Sequence, residues 1–269
     1  MDAPRLGQAL ALGLMHGPAE LLPISSSGHV TLVPWLLGWD YPALDPQVRK
    51  SFEVLLHAGT AGALLITLRG EVSHTLRSAD PRLATLIGLS FVPPALVGYL
   101  LEGPIERRLG KPGAVTAALI LGSLAMLTAD RTPGKRSRDE ATAADAIWLG
   151  VAQACALVPG VSRNGATLAV ARRRGFSPAE SNILSRHVAL PIIAAATARR
   201  LSHLRKEGLP EAQRLPLAAG AAAAFGSTLG STWIIGHVER DRSLSPYALY
   251  RLGLAGLAVR QLIRQRRRR

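Results

Sequence analysis

Two short polar stretches of this sequence carry the residue types that phosphate chemistry uses. The first reads Glu20-Leu-Leu-Pro-Ile-Ser25-Ser26-Ser27-Gly28-His29, and the second Pro159-Gly-Val-Ser162-Arg163-Asn164-Gly165-Ala-Thr167. A guanidinium such as that of Arg163 makes bidentate contacts to phosphate oxygens. The hydroxyls of Ser25, Ser27, Ser162 and Thr167 and the amide of Asn164 add donors around it. Gly28 and Gly165 permit tight turns whose amides can point at an anion, and a helix restarting after each turn would present its N-terminus to the same anion. His29 titrates where a general acid or base must, Ser26 can attack phosphorus if a base takes its proton, and Glu20 suits that base or a metal ligand. His16 lies four residues before Glu20, on the same helix face, a spacing that fits joint metal ligation or a proton relay. The competing reading is a structural Glu20–Arg163 pair, which leaves the hydroxyls and His29 unexplained. His57 fits a core or a site equally well. Arg186 and His187 either line the same cavity or mark an interfacial segment.

The rest of the chain says what must position these groups. Of 269 residues, 48% are apolar and 19% charged, with mean hydropathy +0.20, which excludes disorder. The net charge of +14 sits in short clusters between apolar runs, a pattern of charged loops in a membrane protein rather than of nucleic-acid binding. Aromatics, at 4%, are too few for a base-stacking platform. The lone Cys155 excludes an internal disulfide. Leu83–Leu101, Pro112–Ala129 and Leu215–Val238 are long enough to cross a bilayer, and Val54–Leu68, Ile183–Ala198 and Pro246–Ile263 are spans with polar intrusions. Pro93 and Pro94 should kink the first of these. Met1–Leu22 lacks the pattern of a cleaved leader.

The two polar stretches interrupt apolar segments, Leu10–Leu37 and Ala146–Val170. With one residue inserted they align, Pro23 on Pro159, Ser25 on Ser162 and Gly28 on Gly165. Each precedes three candidate spans. Interrupted segments at matching places in two halves point to an inverted repeat around a central site. An odd number of spans between them makes two re-entrant hairpins enter from opposite faces. The expected architecture is therefore all-α and integral to the membrane, about six transmembrane helices plus two re-entrant hairpins. It forms one membrane domain over 1–269, with repeat one about 1–129, repeat two about 141–263, and a basic tail at 260–269. Positive charge weighs modestly toward the face holding both termini, which places them in the cytoplasm, although Arg172-Arg173-Arg174 lies on the other face. The tail fits contact with anionic lipid. A transporter or flippase that binds phosphate without cleaving it shares this architecture and stays open here.

The stretch Gly17–His29 resembles the first signature of the undecaprenyl-diphosphatase, or bacitracin-resistance, family. Pro159–Thr167 resembles its second, and Ser51–Thr60 resembles a stretch between them. The resemblance implies a bacterial multi-pass membrane enzyme that hydrolyses undecaprenyl diphosphate, or a related polyprenyl diphosphate, to the monophosphate and inorganic phosphate. That recycles the lipid carrier for cell-wall synthesis and confers bacitracin resistance, at a site opening to the outer face. It implies a divalent cation, Mg2+ or Ca2+; the four-residue spacing of His16 and Glu20 makes these two the expected ligands, with a proton relay at His16 as the alternative. The resemblance also casts Glu20 as the signature acid, Ser26 as nucleophile or phosphate ligand, His29 as signature histidine and Arg163 as phosphate-binding arginine. Expected partners are the polyprenyl diphosphate lipid, the membrane and a second copy in a homodimer, but no nucleic acid. The sequence departs from the family at His16, His57 and Asn164, where Glu or Gln, Gln and Ser are usual, and around Arg186 and His187, where the family is usually apolar.

Overall fold

A computed structural model describes residues 3–70, 73, 77, 80–207, 211–240 and 243–267, so Arg268 and Arg269 of the basic tail lie outside the described residues. Among the described residues the chain is helical, with no strand beyond one isolated bridge between Arg136 and Phe176. In chain order the helices are α1 (Leu6–Leu21), α2 (Ser26–Leu36), α3 (Pro46–Thr67), α4 (Pro81–Leu109) and α5 (Pro112–Ala129). They continue with α6 (Ala143–Cys155), α7 (Arg163–Arg173), α8 (Pro178–Glu207), α9 (Glu211–Gly230), α10 (Trp233–Arg240) and α11 (Ser245–Arg267).

Local chemistry sets several boundaries. Asp45 Oδ1 accepts from the Gln47 amide at 2.7 Å ahead of Pro46, and Thr142 and Asp145 form a reciprocal capping box at the start of α6. Pro81–Leu101 and Pro112–Ala129 are long and apolar enough to cross a membrane, and both leave large apolar residues outward, Tyr99 at 80% and Leu121 at 67% exposure. The expected span Leu215–Val238 is not continuous. Gly230, Ser231 and Thr232 end α9 with tightened turns, and Thr232 Oγ1 donates to the Leu229 carbonyl at 3.0 Å, so local hydroxyl bonding replaces the helical ladder there.

α4 runs unbroken through Pro93 and Pro94. Pro94 has no N–H for the carbonyl of Ser90, and Gln153 of α6 donates to that oxygen at 3.3 Å. A Cβ at Gly150 would sit 2.8 Å from the Pro93 ring, so glycine lets α6 close on α4. The opposite pairing, α1 on α9, is also built on small residues: a Cβ at Gly17 would meet Thr228 N at 2.6 Å and one at Gly13 would meet Ala223 Cβ at 2.7 Å. The first limb of each interrupted segment thus packs on a helix from the other half of the chain, α1 on α9 and α6 on α4, while α5 packs on α11.

Asp130, just past α5, ties the connections together. Its carboxylate accepts from Ser243 Oγ at 2.6 Å, from the Leu244 amide at 2.8 Å and from the Ser245 amide at 3.0 Å, and it pairs with the buried Arg172. Burial alone would raise this carboxyl, but those hydrogen bonds and Arg172 outweigh it and hold it below its ordinary value. A depressed folded value means that the stabilisation is present above the ordinary carboxylate range and is lost as pH falls through it. The melting temperature in detergent should therefore fall on acidification, and Asp130→Asn should lower it at neutral pH and flatten its acid slope. An unchanged acid slope in the variant would contradict this role.

Candidate functional site

Among the described residues, Ser25 and Ser162 are the two non-glycine positions with positive φ, 76° and 69°. Each starts a helix, α2 or α7, and each Oγ accepts from the amide three residues on, Gly28 or Gly165, at 3.2 Å. The two stretches therefore share backbone and cap at the positions that align in sequence. Holding a serine in this region costs about 1–3 kcal/mol, and such strain gathers at functional sites. The same caps give the Gly28 and Gly165 amides, expected to face an anion, a partner of their own, each donating to a serine hydroxyl in this geometry. Gly165 is needed for close approach, since a Cβ there would lie 3.0 Å from Arg251 Nη1.

Arg251 of α11 is fully buried and holds the two loops together. Its Nη1 donates to the Pro23 carbonyl at 3.3 Å, and its Nη2 donates to Gly160 and Val161 at 3.0 Å and to Leu119 at 3.3 Å. Ser27 adds a second link, its Oγ accepting from the Gly160 amide at 3.3 Å. Arg251→Leu would strand the Pro23, Gly160 and Val161 carbonyls, at about 1–3 kcal/mol for each that finds no new donor, while the Leu119 carbonyl keeps Ser123 Oγ at 2.6 Å. The protein should then lose thermal stability by several degrees and lose the site with it. Arg251→Lys should recover little, because one ammonium cannot reach carbonyls on both loops and α5. Wild-type melting of both variants would refute the clamp.

The fold brings Glu20, Ser26 and Arg163 together. Ser26 Oγ donates to Glu20 Oε2 at 2.6 Å, and Arg163 Nη2 donates to Glu20 Oε1. Glu20 ends α1, Ser26 begins α2 and Arg163 begins α7, so the cluster forms only when the two interrupted segments meet. The side chains of Arg163 and Glu20 keep 18% and 12% exposure, toward a cleft. Its polar lining is Glu20, Arg163, Asn164, Asn182, Ser185 and Arg186, and its aliphatic lining includes Leu64, Leu68, Leu190, Ile193 and Ile235. Of the two readings of Arg186, the cavity-lining one holds. His187 is not among the lining residues.

Other expected phosphate ligands are engaged in holding the protein. Asn164 Nδ2 donates to the Leu21 carbonyl at 3.0 Å and its Oδ1 accepts from Ser185 Oγ at 3.1 Å. Thr167 is fully buried and shares a 2.6 Å hydrogen bond with Ser185. Ser25 and Ser162 are buried caps. In this geometry these residues shape the loops rather than line the cleft, apart from Asn164. His29 is buried, with Nδ1 donating to the Ser25 carbonyl at 2.7 Å and Nε2 accepting from the Tyr250 hydroxyl at 2.8 Å. Tyr250 and Arg251, adjacent on α11, thus each reach the loops. Sequence reasoning missed both, although an arginine within an apolar run was a visible signal.

Behind Glu20 lie two histidines. His16 Nδ1 is 2.9 Å from Thr60 Oγ1, the His16 and His57 ring centroids are 4.6 Å apart, and His57 Nδ1 donates to the Glu53 carbonyl at 2.8 Å.

Comparison with known proteins shows the family. The family description "Bacitracin resistance protein BacA" matches residues 9–257. A protein of Geobacter sulfurreducens named undecaprenyl-diphosphatase is 38% identical over 265 residues, covering 93% of this chain and 96% of the relative. Another with that name from Geobacter metallireducens is 36% identical, with the same coverage. A third, from Salinibacter ruber, is 32% identical over 94% of this chain and 97% of its own length. The match spans both interrupted segments and the helix that carries Tyr250 and Arg251, and the chain belongs to the bacitracin resistance protein BacA family.

Proposed function

We propose that this protein is an undecaprenyl-diphosphate phosphatase, which recycles the lipid carrier of cell-wall synthesis and thereby confers bacitracin resistance. The observation that carries the reading is the cleft. Its lining combines Arg163, Arg186 and Glu20, to which the buried Ser26 is bonded, with aliphatic side chains, and an amphiphile with an anionic head meets both requirements. The matching turns at Ser25 and Ser162 and the reciprocal packing of α1 on α9 and α6 on α4 support two inverted repeats with re-entrant hairpins in a multi-pass membrane protein. The site is proposed to open to the outer face.

The chemistry follows from the contacts. Arg163 lies beside Glu20 and presents its guanidinium to the terminal phosphate, with Arg186 in the same cleft. Glu20 takes the Ser26 proton as Ser26 Oγ attacks the terminal phosphorus, and the bond to the bridging oxygen breaks to release the lipid monophosphate. Water then attacks the phosphoserine phosphorus, the proton held on Glu20 returns to Ser26 Oγ as the Ser26 O–P bond breaks, and inorganic phosphate leaves carrying the water's oxygen and protons, with serine and carboxylate both regenerated. His29 acts as a positioning residue in this reading, since its bonds to the Ser25 carbonyl and the Tyr250 hydroxyl fix the turn that carries Ser26. A substrate panel tests the reading. Purified protein should release phosphate from undecaprenyl diphosphate faster than from inorganic diphosphate or a nucleoside diphosphate, because neither fills the aliphatic lining. Equal turnover of all three would contradict the cleft as the substrate site.

A further inference from the structure

Calcium takes six to eight oxygen ligands and magnesium six, several of them waters. Around Glu20 the side-chain donors are mostly nitrogen instead. Among the described residues one group of three side chains could hold an ion: His16, Glu20 and His57, whose ligand atoms all lie within 4.8 Å of one another. Two of those three donors are imidazole nitrogens, and imidazole suits zinc and neighbouring transition metals.

Three further observations point the same way. First, His16 Nε2 is buried and has no hydrogen-bond partner, while its residue is 1% exposed. An orphaned ring nitrogen is costly unless something binds it. Second, each histidine has its other nitrogen fixed. His57 Nδ1 donates to the Glu53 carbonyl, and His16 Nδ1 stands 2.9 Å from Thr60 Oγ1, which also accepts from Thr228 Oγ1 at 3.3 Å. Such outer hydrogen bonds orient metal-ligating imidazoles, with Nε2 as the metal-facing atom. Third, Glu20 has capacity left. A carboxylate offers about four acceptor positions, and Ser26 and Arg163 use one on each oxygen.

We infer that His16, Glu20 and His57 form a binding site for a transition-metal ion of the zinc class, in place of the magnesium or calcium that the family resemblance implies. The inference rests on the reading of Glu20 as a site residue, and not on hydrolysis. The departures at His16 and His57 then have one joint cause, since they stand side by side and change the donor set together. The family's usual residues at both positions would present oxygen donors, and this chain presents nitrogen.

The test measures binding without substrate, so its failure is distinct from failure of the phosphatase reading. Full-length untagged protein in detergent is stripped with chelator and reloaded with Zn2+, Co2+ or Mg2+. Wild type should retain about one zinc per chain after desalting, resist a hundredfold excess of Mg2+, and show visible bands of nitrogen-ligated cobalt. Loss of an outer-shell partner alone costs about 10–100-fold in metal affinity, so His57→Gln should weaken zinc binding by at least about 100-fold. His16→Glu with His57→Gln should shift preference toward Mg2+. Zinc held no more tightly than magnesium by wild type, or unchanged zinc affinity in a folded His57→Gln variant, would overturn the site. Should His57→Gln fail to fold, the wild-type cobalt spectrum decides, and the absence of nitrogen-ligated bands overturns the site.

Discussion

Replacing Arg163 with lysine should lower kcat by about 10²–10³, with the protein still folded. Lysine keeps a positive charge beside Glu20, so the pairing between the two interrupted segments survives in part. It loses the planar fork that spans Glu20 and a phosphate at once. Removing one preorganised donor from a developing charge costs about 3–4 kcal/mol of transition-state stabilisation, and the effect should fall mainly on kcat rather than KM. Near wild-type turnover in Arg163→Lys would remove this residue from the chemistry and leave the structural Glu20–Arg163 pair as its whole role.

Glu20→Gln should be more damaging still. The carboxylate takes the hydrogen bond from Ser26 at 2.6 Å and pairs with Arg163, so one isosteric change removes a base and leaves a partly buried cation without its partner. Positioned bases contribute about 10²–10⁴ in rate, and a loss in the upper part of that range is expected. Ser26→Ala should lose a comparable factor. Because the two residues act as a unit, the double variant should be no slower than the worse single variant. Additive losses would mean that Glu20 and Ser26 serve separate steps.

Much of this site was legible before any coordinates. The recurrence of proline, serine and glycine in two interrupted segments gave the pairing, and the turns at Ser25 and Ser162 share it. The need of Glu20 and Arg163 for partners was legible too, since intramembrane charges need them, but their pairing with each other stood only as the competing structural reading. What could not be read was how each donor is used. The Gly28 and Gly165 amides looked available to an anion, but positive φ at the preceding serines turns their hydroxyls back onto them, and serine seldom adopts that backbone. Arg251 was visible as a charge in an apolar run, but its role was not. Three of its partners are the carbonyls of Pro23, Gly160 and Val161, and no side-chain pattern encodes a carbonyl left open by a loop. The break after Gly230 escaped because hydropathy averages over Ser231 and Thr232, whereas the helix responds to each hydroxyl. Tyr250 shows the distance limit plainly, for it meets His29 from the far end of the chain.

The central claim is that the Glu20–Ser26–Arg163 cluster cleaves the terminal phosphate of a polyprenyl diphosphate, where a transporter of the same architecture would only bind it. Phosphorus NMR of purified protein with undecaprenyl diphosphate in detergent reads this directly, with Ser26→Ala as the paired sample. The account predicts loss of the diphosphate signals and equal growth of monophosphate and inorganic phosphate with wild type, and a preserved diphosphate with the variant. Substrate that is bound yet remains an intact diphosphate with active-folded wild type, or equal cleavage by Ser26→Ala, would contradict it.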